Sequence, residues 1–289
     1  MIDETIEEIE EMQTHSSSVV AVKAARALAS LTAQEFPTVE EYVRALERNS
    51  SALRRAKPSH ATLYNTQRRI IHTVAEGEYD AVSAAKEATE RVIDEVIDTV
   101  ESAKAEAAAN AAAELADDET ILTHDYSTTV IETLERLAAV ENGVAQRPIT
   151  LYITEARPRY LGRKTARYFG PIEGIDVHLI VDSASAQYLP ECDRVLVGMD
   201  SLVDDVLYNR VGTHTLSAAA ADAGVPVTAV GASTKIPEGG FQFQNERRPV
   251  SEVMREPAEG FVVENVNYDG TPIELLDSIA TDDGIRRPE

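Results

Sequence analysis

The chain has a single cysteine, Cys192, so an internal disulfide and a cysteine-based metal cluster are both excluded. No apolar run approaches the roughly 18 residues that a membrane-spanning helix needs. The first residues, MIDETIEEIEEM, are acidic and amphipathic, the opposite of a secretory or organellar leader. A cytoplasmic location with no membrane partner is therefore expected. Lysine is scarce, with six residues in 289. The histidines, His15, His60, His72, His124, His178 and His214, lack the spacing of a metal site, so neither a metal nor another cofactor is expected. Bases are outnumbered overall: 27 Lys and Arg against 50 Asp and Glu give a formal charge of −23. Phosphate backbones call for clustered Lys and Arg, and this balance argues against direct nucleic-acid binding. The acids are spread along the chain rather than gathered in a tail, as expected of a surface kept soluble in a salt-rich, halophilic cytoplasm. An acidic face that recruits a basic partner is the alternative.

What is present suffices for two domains. The first third has helical periodicity. Ile2, Ile6 and Ile9 share a face, THSSS (14–18) interrupts, and Val19, Val22, Ala25 and Leu28 resume it. Thr38 with Glu41 forms a capping box for a helix carrying Tyr42, Val43 and Leu46. Pro58 suits the first turn of the next helix, which carries Leu63, Ile70, Ile71 and Val74. From Tyr79 to Leu115 neither Pro nor Gly occurs, and an Ala/Val stripe predicts one long helix or a pair, up to roughly 55 Å. Such a stripe has to be covered by neighbours or by a second subunit.

The pattern changes at the acidic hinge 117–119. Short β-branched runs, ILTH (121–124), ITLYITE (149–155), DVHLIVD (176–182), DRVLVGMD (193–200) and PVTAVG (226–231), now alternate with helical stretches near 162–169, 183–189 and 213–223. The tail reads as one more short strand and helix. Alternation of this kind means βαβ units around a parallel sheet. The predicted fold class is α/β: an all-helical domain over 1–116, then a Rossmann-like parallel-sheet domain over 117–289. Ligands of such sheets sit beyond the carboxyl ends of the strands. That directs attention to His124–Ser127, Glu155–Arg163, Asp182, Asp200 and the turn Asn209–Thr213.

Those strand ends carry a resemblance. ILTHDYS, TEARPRYLGRKTA, VDSASA, VGMD, NRVGT and YDGTPIELLD occur in the order and spacing of the regulatory (alpha, beta, delta) subunits of translation initiation factor 2B. The same family includes isomerases of methylthioribose 1-phosphate and ribose 1,5-bisphosphate. The similarity runs from about residue 50 to 285, with AKPS (56–59) echoing a phosphate-side Arg-Pro-Thr motif and so bringing in Lys57. It implies a homodimer or larger assembly, a phosphorylated sugar or nucleotide as ligand, and allows initiation factor 2 as a partner.

The residues themselves agree. Arg157, directly after a strand, can grip phosphate with paired hydrogen bonds, or else pair with Glu155; Arg163 is a second such cation. Asn209, Arg210, Gly212 and Thr213 form the NRVGT turn. The backbone amides of Gly212 and Thr213, opening a helix, either offer an anion site or merely make the turn and cap. The resemblance implies proton transfer by Asp200, paired in the isomerases with a cysteine where this chain has Asp125. Cys192, in a helix-to-strand connection, cannot substitute. Two facing carboxylates could share a proton, though they would also repel. Leu161 in place of a glutamine, Arg210 in place of a lysine, and Asp204–Asp205 in place of a Gly-containing turn are further departures. Since they fall on catalysis, the residues favour a regulatory, ligand-binding member over an isomerase, the latter remaining the alternative.

Overall fold

The computed structural model describes residues 2–11, 17–256 and 259–288. His15 and the 14–16 part of the THSSS interruption lie outside them. Five helices open the chain: α1 (Ile2–Glu11), α2 (Ser17–Ala29), α3 (Val39–Ala56), α4 (Ala61–Ala75) and α5 (Val82–Glu114). Thr38 caps α3 as its sequence predicts, its hydroxyl accepting from Glu41 N at 3.2 Å. Pro58 does not open α4. It lies in the turn before it, and His60 takes the N-cap position. The stripe expected between 79 and 115 is a single helix, whose Val92, Val96 and Ala85 enter a core with Leu28, Tyr42 and Leu63. The Tyr42 hydroxyl donates to Thr89 at 2.8 Å inside this core, and burial raises its pKa.

The chain divides into two compact units, Met1–Ala103 with Thr234–Gln244, and Lys104–Ser233 with Asn245–Glu289. The boundary expected at the acidic hinge therefore falls earlier, inside α5, because the helix runs on without a breaker. The first unit also takes back an eleven-residue segment that has no periodicity to announce it.

The second unit contains β1 (Thr120–Thr123), α6 (Thr128–Leu137), β2 (Val140–Glu141), β3 (Val144–Thr154), α7 (Gly162–Phe169), β4 (Glu173–Ile180), α8 (Ser185–Tyr188) and β5 (Arg194–Gly198). After them come β6 (Ser201–Val203), β7 (Val206–Arg210), α9 (Thr213–Ala223), β8 (Val227–Val230), β9 (Tyr268–Pro272), β10 (Ser278–Thr281) and β11 (Gly284–Arg286). The main sheet is parallel from β4 through β3, β1, β5 and β8 to β10, with β11 added antiparallel at one edge. Starting at β1 the chain builds outward through β3 to β4, then returns to lay β5, β8 and β10 on the other side. The direction reverses between β1 and β5, the switch point at which doubly wound sheets hold ligands.

A second sheet, β6-β7-β9, is antiparallel and was not expected. Asp204 and Asp205 both take positive φ, 48° and 60°, and make the two-residue turn joining β6 to β7. The tail holds β9, β10 and β11 with only one helical turn, Ile273–Leu275, where a strand and a helix were expected. Among the described residues no helix is long and apolar enough to cross a membrane.

Candidate functional site

At the carboxyl end of β1 the chain turns sharply. Asp125 adopts φ 67°, a left-handed conformation that Asp tolerates better than most residues, and its carbonyl accepts the Thr165 hydroxyl from α7 at 2.6 Å. Gly162 lets α7 start against β3, since a Cβ there would meet the Thr154 carbonyl oxygen at 1.8 Å. His124, 2% exposed, ties three segments together. Its Nε2 donates to the Val211 carbonyl at 2.9 Å, so Nδ1 accepts the Thr154 hydroxyl at 2.6 Å. The imidazole lies directly on Gly212, whose φ is 109°. Asp182, after β4, accepts from the backbone N–H groups of Ala156 and Arg157 at 2.8 and 2.7 Å. Ala156 and Tyr160 also have positive φ, 58° and 59°, and Ala156 borders the same crevice as Asp125. Strain of this kind persists only where surroundings over-determine it, as at ligand sites.

Arg157, Arg159, Arg210 and Arg248 line that crevice, which is nearly closed at about 10 Å³, with Asp125 and Asn267 among the remaining walls. Four guanidinium groups together in a chain of formal charge −23 is a concentration against the average. They are close enough to feel one another: burial first, then the charges of Arg210 and Arg248, lower the pKa of Arg159. Burial also works against the charge of Arg210, but Tyr268, Asp200, Asp125 and Glu246 outweigh it, and the net direction is upward. Arg210 sits with its Nε 3.4 Å from Asp125 Oδ2 and its guanidinium over the Tyr268 ring at 4.8 Å. Its Nη1 is buried with no hydrogen-bond partner. Arg248 makes a fork to Glu252, with contacts of 2.5 and 3.3 Å, and Arg157 Nη2 reaches the Val253 carbonyl at 3.2 Å.

The site thus brings together Asp125, Arg157 and Arg210, with Asp200 near enough to act on Arg210 electrostatically. The repulsion anticipated between the two carboxylates is met by the Arg210 charge they share. Other candidates are engaged elsewhere. Arg163, rather than Arg157, pairs with Glu155, at 2.6 Å, and stacks on Tyr160 at 3.9 Å, outside the walls of the crevice. Asn209 is buried, donating to the Thr213 hydroxyl at 3.0 Å, while that hydroxyl donates to the Arg210 carbonyl at 2.7 Å. The amide end of α9, read as a possible anion site, is occupied from within: Asp269 Oδ2 accepts from Gly212 N at 2.7 Å and His214 N at 3.2 Å. Burial raises the Asp269 pKa, although these amides pull it the other way. Lys57 belongs to the first unit, where it lines a recess of about 320 Å³ with Arg54, Arg55, His60, Tyr64 and Phe241. Cys192 is buried, and burial pushes its thiol up to about 12, far from any reactive thiolate.

Sequence reasoning missed Arg159, Arg248 and Asp269. Arg159 stood in the same ARPR stretch as Arg157, so strand-end position could have marked it. Arg248 comes from an irregular segment between β8 and β9 with no periodicity to place it.

A parallel sheet with helices between its strands and clustered guanidinium groups beyond the carboxyl ends of β1 and β3 defines a Rossmann-like α/β protein. More specifically, the chain belongs to the Initiation factor 2 subunit family, which it matches over residues 13–288. Ribose 1,5-bisphosphate isomerase of Haloterrigena turkmenica is 30% identical, the alignment covering 99% of this chain and 90% of that protein. Among solved structures, translation initiation factor eIF-2B of Pyrococcus horikoshii superposes with a TM-score of 0.77 at 24% identity, covering 99% of this chain and 97% of that one. The 5-methylthioribose 1-phosphate isomerase of the same organism gives 0.75, also at 24%, with coverages of 99% and 84%. At that identity the two structures establish the shared fold.

Proposed function

We propose that the chain is an aldose–ketose isomerase of a phosphorylated pentose, with ribose 1,5-bisphosphate as substrate, rather than the regulatory protein that Asp125 favours on sequence alone. The observation that carries this is the arginine-lined crevice beyond the carboxyl ends of β1 and β3, Arg157, Arg159, Arg210 and Arg248 around Asp125. The full-length similarity to a ribose 1,5-bisphosphate isomerase supports it, whereas the likeness to an initiation factor subunit supports only the fold.

A sugar phosphorylated at C1 cannot open to a free aldehyde. Reaching the ketose requires a proton on the ring oxygen, transfer of the C2 hydrogen to C1, and loss of the 2-hydroxyl proton. Guanidinium groups bind phosphate oxygens through paired, charge-assisted hydrogen bonds. In a crevice with little water they also stabilise oxygen that gains negative charge as the reaction proceeds. Asp200 is the general base of this reading, by its place in the VGMD motif. The test is conversion of ribose 1,5-bisphosphate to its ketose, followed by ¹H and ³¹P NMR. The parent should turn over, and Asp200→Asn should lose about 10²–10⁴-fold in rate, the contribution of a positioned base. A parent that binds the sugar without forming ketose would return the chain to the regulatory reading.

A further inference from the structure

We infer that Asp125 is a positioning residue for Arg210 and not a proton carrier; the inference rests on the isomerase reading. Three observations carry it. First, the carboxylate faces Arg210 as an ion pair, Oδ2 lying 3.4 Å from Nε, so its charge is directed at the guanidinium. Second, Asp125 cannot easily swing away. Its backbone is left-handed, its carbonyl is held by Thr165, and it is 7% exposed. Third, Arg210 is fixed on two sides, by the Tyr268 ring and by Asp125, and these leave its Nη1 buried and without an acceptor. An unfilled buried donor costs free energy that a substrate oxygen can relieve on binding.

Asp125 thus sets the direction of the guanidinium, and Nη1 is the donor kept for an anionic oxygen of the substrate. Asp200 acts on Arg210 electrostatically, and the isomerase reading leaves proton transfer to Asp200 and positioning to Asp125.

The experiment is a double-mutant cycle with Asp125→Asn, Arg210→Gln and the double variant. Asparagine tolerates the left-handed backbone, so Asp125→Asn keeps the turn, and far-UV circular dichroism checks the fold of each variant. Affinity for ribose 1,5-bisphosphate is read by calorimetry, turnover by the NMR assay across pH. Asp125→Asn should weaken binding and raise KM by roughly tenfold, lower kcat far less, and keep both limbs of the pH profile. Added to Arg210→Gln it should change affinity by less than about twofold, since its effect passes through Arg210. Loss of kcat by about 10³-fold with one pH limb gone, and unchanged affinity, would overturn the inference and leave the isomerase reading standing. Additive losses in the double variant would overturn it as well. Coupled binding losses in a parent that binds but makes no ketose would instead sink the isomerase reading and leave the pairing intact. If the parent binds neither the sugar nor inorganic phosphate, Arg210 has no anion to receive and the inference fails.

Discussion

Gly212 tests whether the crevice is built on close packing. Its φ of 109° is one that L side chains rarely adopt, and an added Cβ would lie 2.7 Å from His124 Cε1 and 2.9 Å from Nε2. Gly212→Ala therefore incurs about 1–2 kcal/mol of backbone strain, offset by roughly 0.4–1 kcal/mol from the stiffer unfolded chain. The imidazole must also move, disturbing its bonds to Thr154 and Val211, each worth about 1 kcal/mol. The sum is a destabilisation of about 3 kcal/mol. Gly224, at the other end of the same helix, provides the control: φ is 72° but an added Cβ would meet nothing within 4 Å, so Gly224→Ala incurs the backbone strain alone, about 1 kcal/mol after the same offset. Urea unfolding followed by circular dichroism measures both. Equal losses in the two variants would refute the reasoning, because the His124 contact would then contribute nothing.

Arg159→Ala should weaken sugar-phosphate binding about 10–100-fold, as loss of a charge-assisted contact does, whereas Arg163→Ala, paired away with Glu155, should change affinity by less than about threefold; calorimetry compares them directly. A second expectation concerns acid. Despite burial, which acts to raise it, the Glu252 pKa is lowered from 4.5 by Arg248 and Asn265. A carboxylate depressed in the fold contributes stability that is complete above its unfolded value and is lost as pH falls through the folded one. Glu252→Gln should therefore lower stability near neutrality and flatten the decline below about pH 4.5, measured by thermal melts across pH.

The fold was legible where one signal dominates. Alternating β-branched runs and helical stretches mark the parallel sheet, and α7 and α9 fall where periodicity places them. The small antiparallel sheet was not, because its turn is made by two aspartates in a conformation that glycine or asparagine would have advertised. The unit boundary was hidden inside α5, where composition does not change. At the site, strand-end position pointed to Asp125, Arg157, Asp182 and Asp200. It could not say which arginine faces inward: Arg159 and Arg163 flank the same turn, and only the Glu155 pairing separates them. Nor could it see that Asp269, more than fifty residues away in sequence, fills the amide end of α9.

The four-arginine crevice belongs to a chain that otherwise carries a large excess of negative charge. On the isomerase reading, a doubly phosphorylated sugar approaching from bulk water meets long-range repulsion first and attraction only at short range. The two parts of its path respond differently to salt. At 0.1 M the screening length is about 10 Å, so the acidic exterior slows encounter; at 1 M it is about 3 Å, and the exterior is nearly invisible. Guanidinium–phosphate contacts inside the crevice act within that length and are much less screened. On that reading the encounter rate is expected to rise with ionic strength, the reverse of an enzyme that steers its substrate by opposite charge.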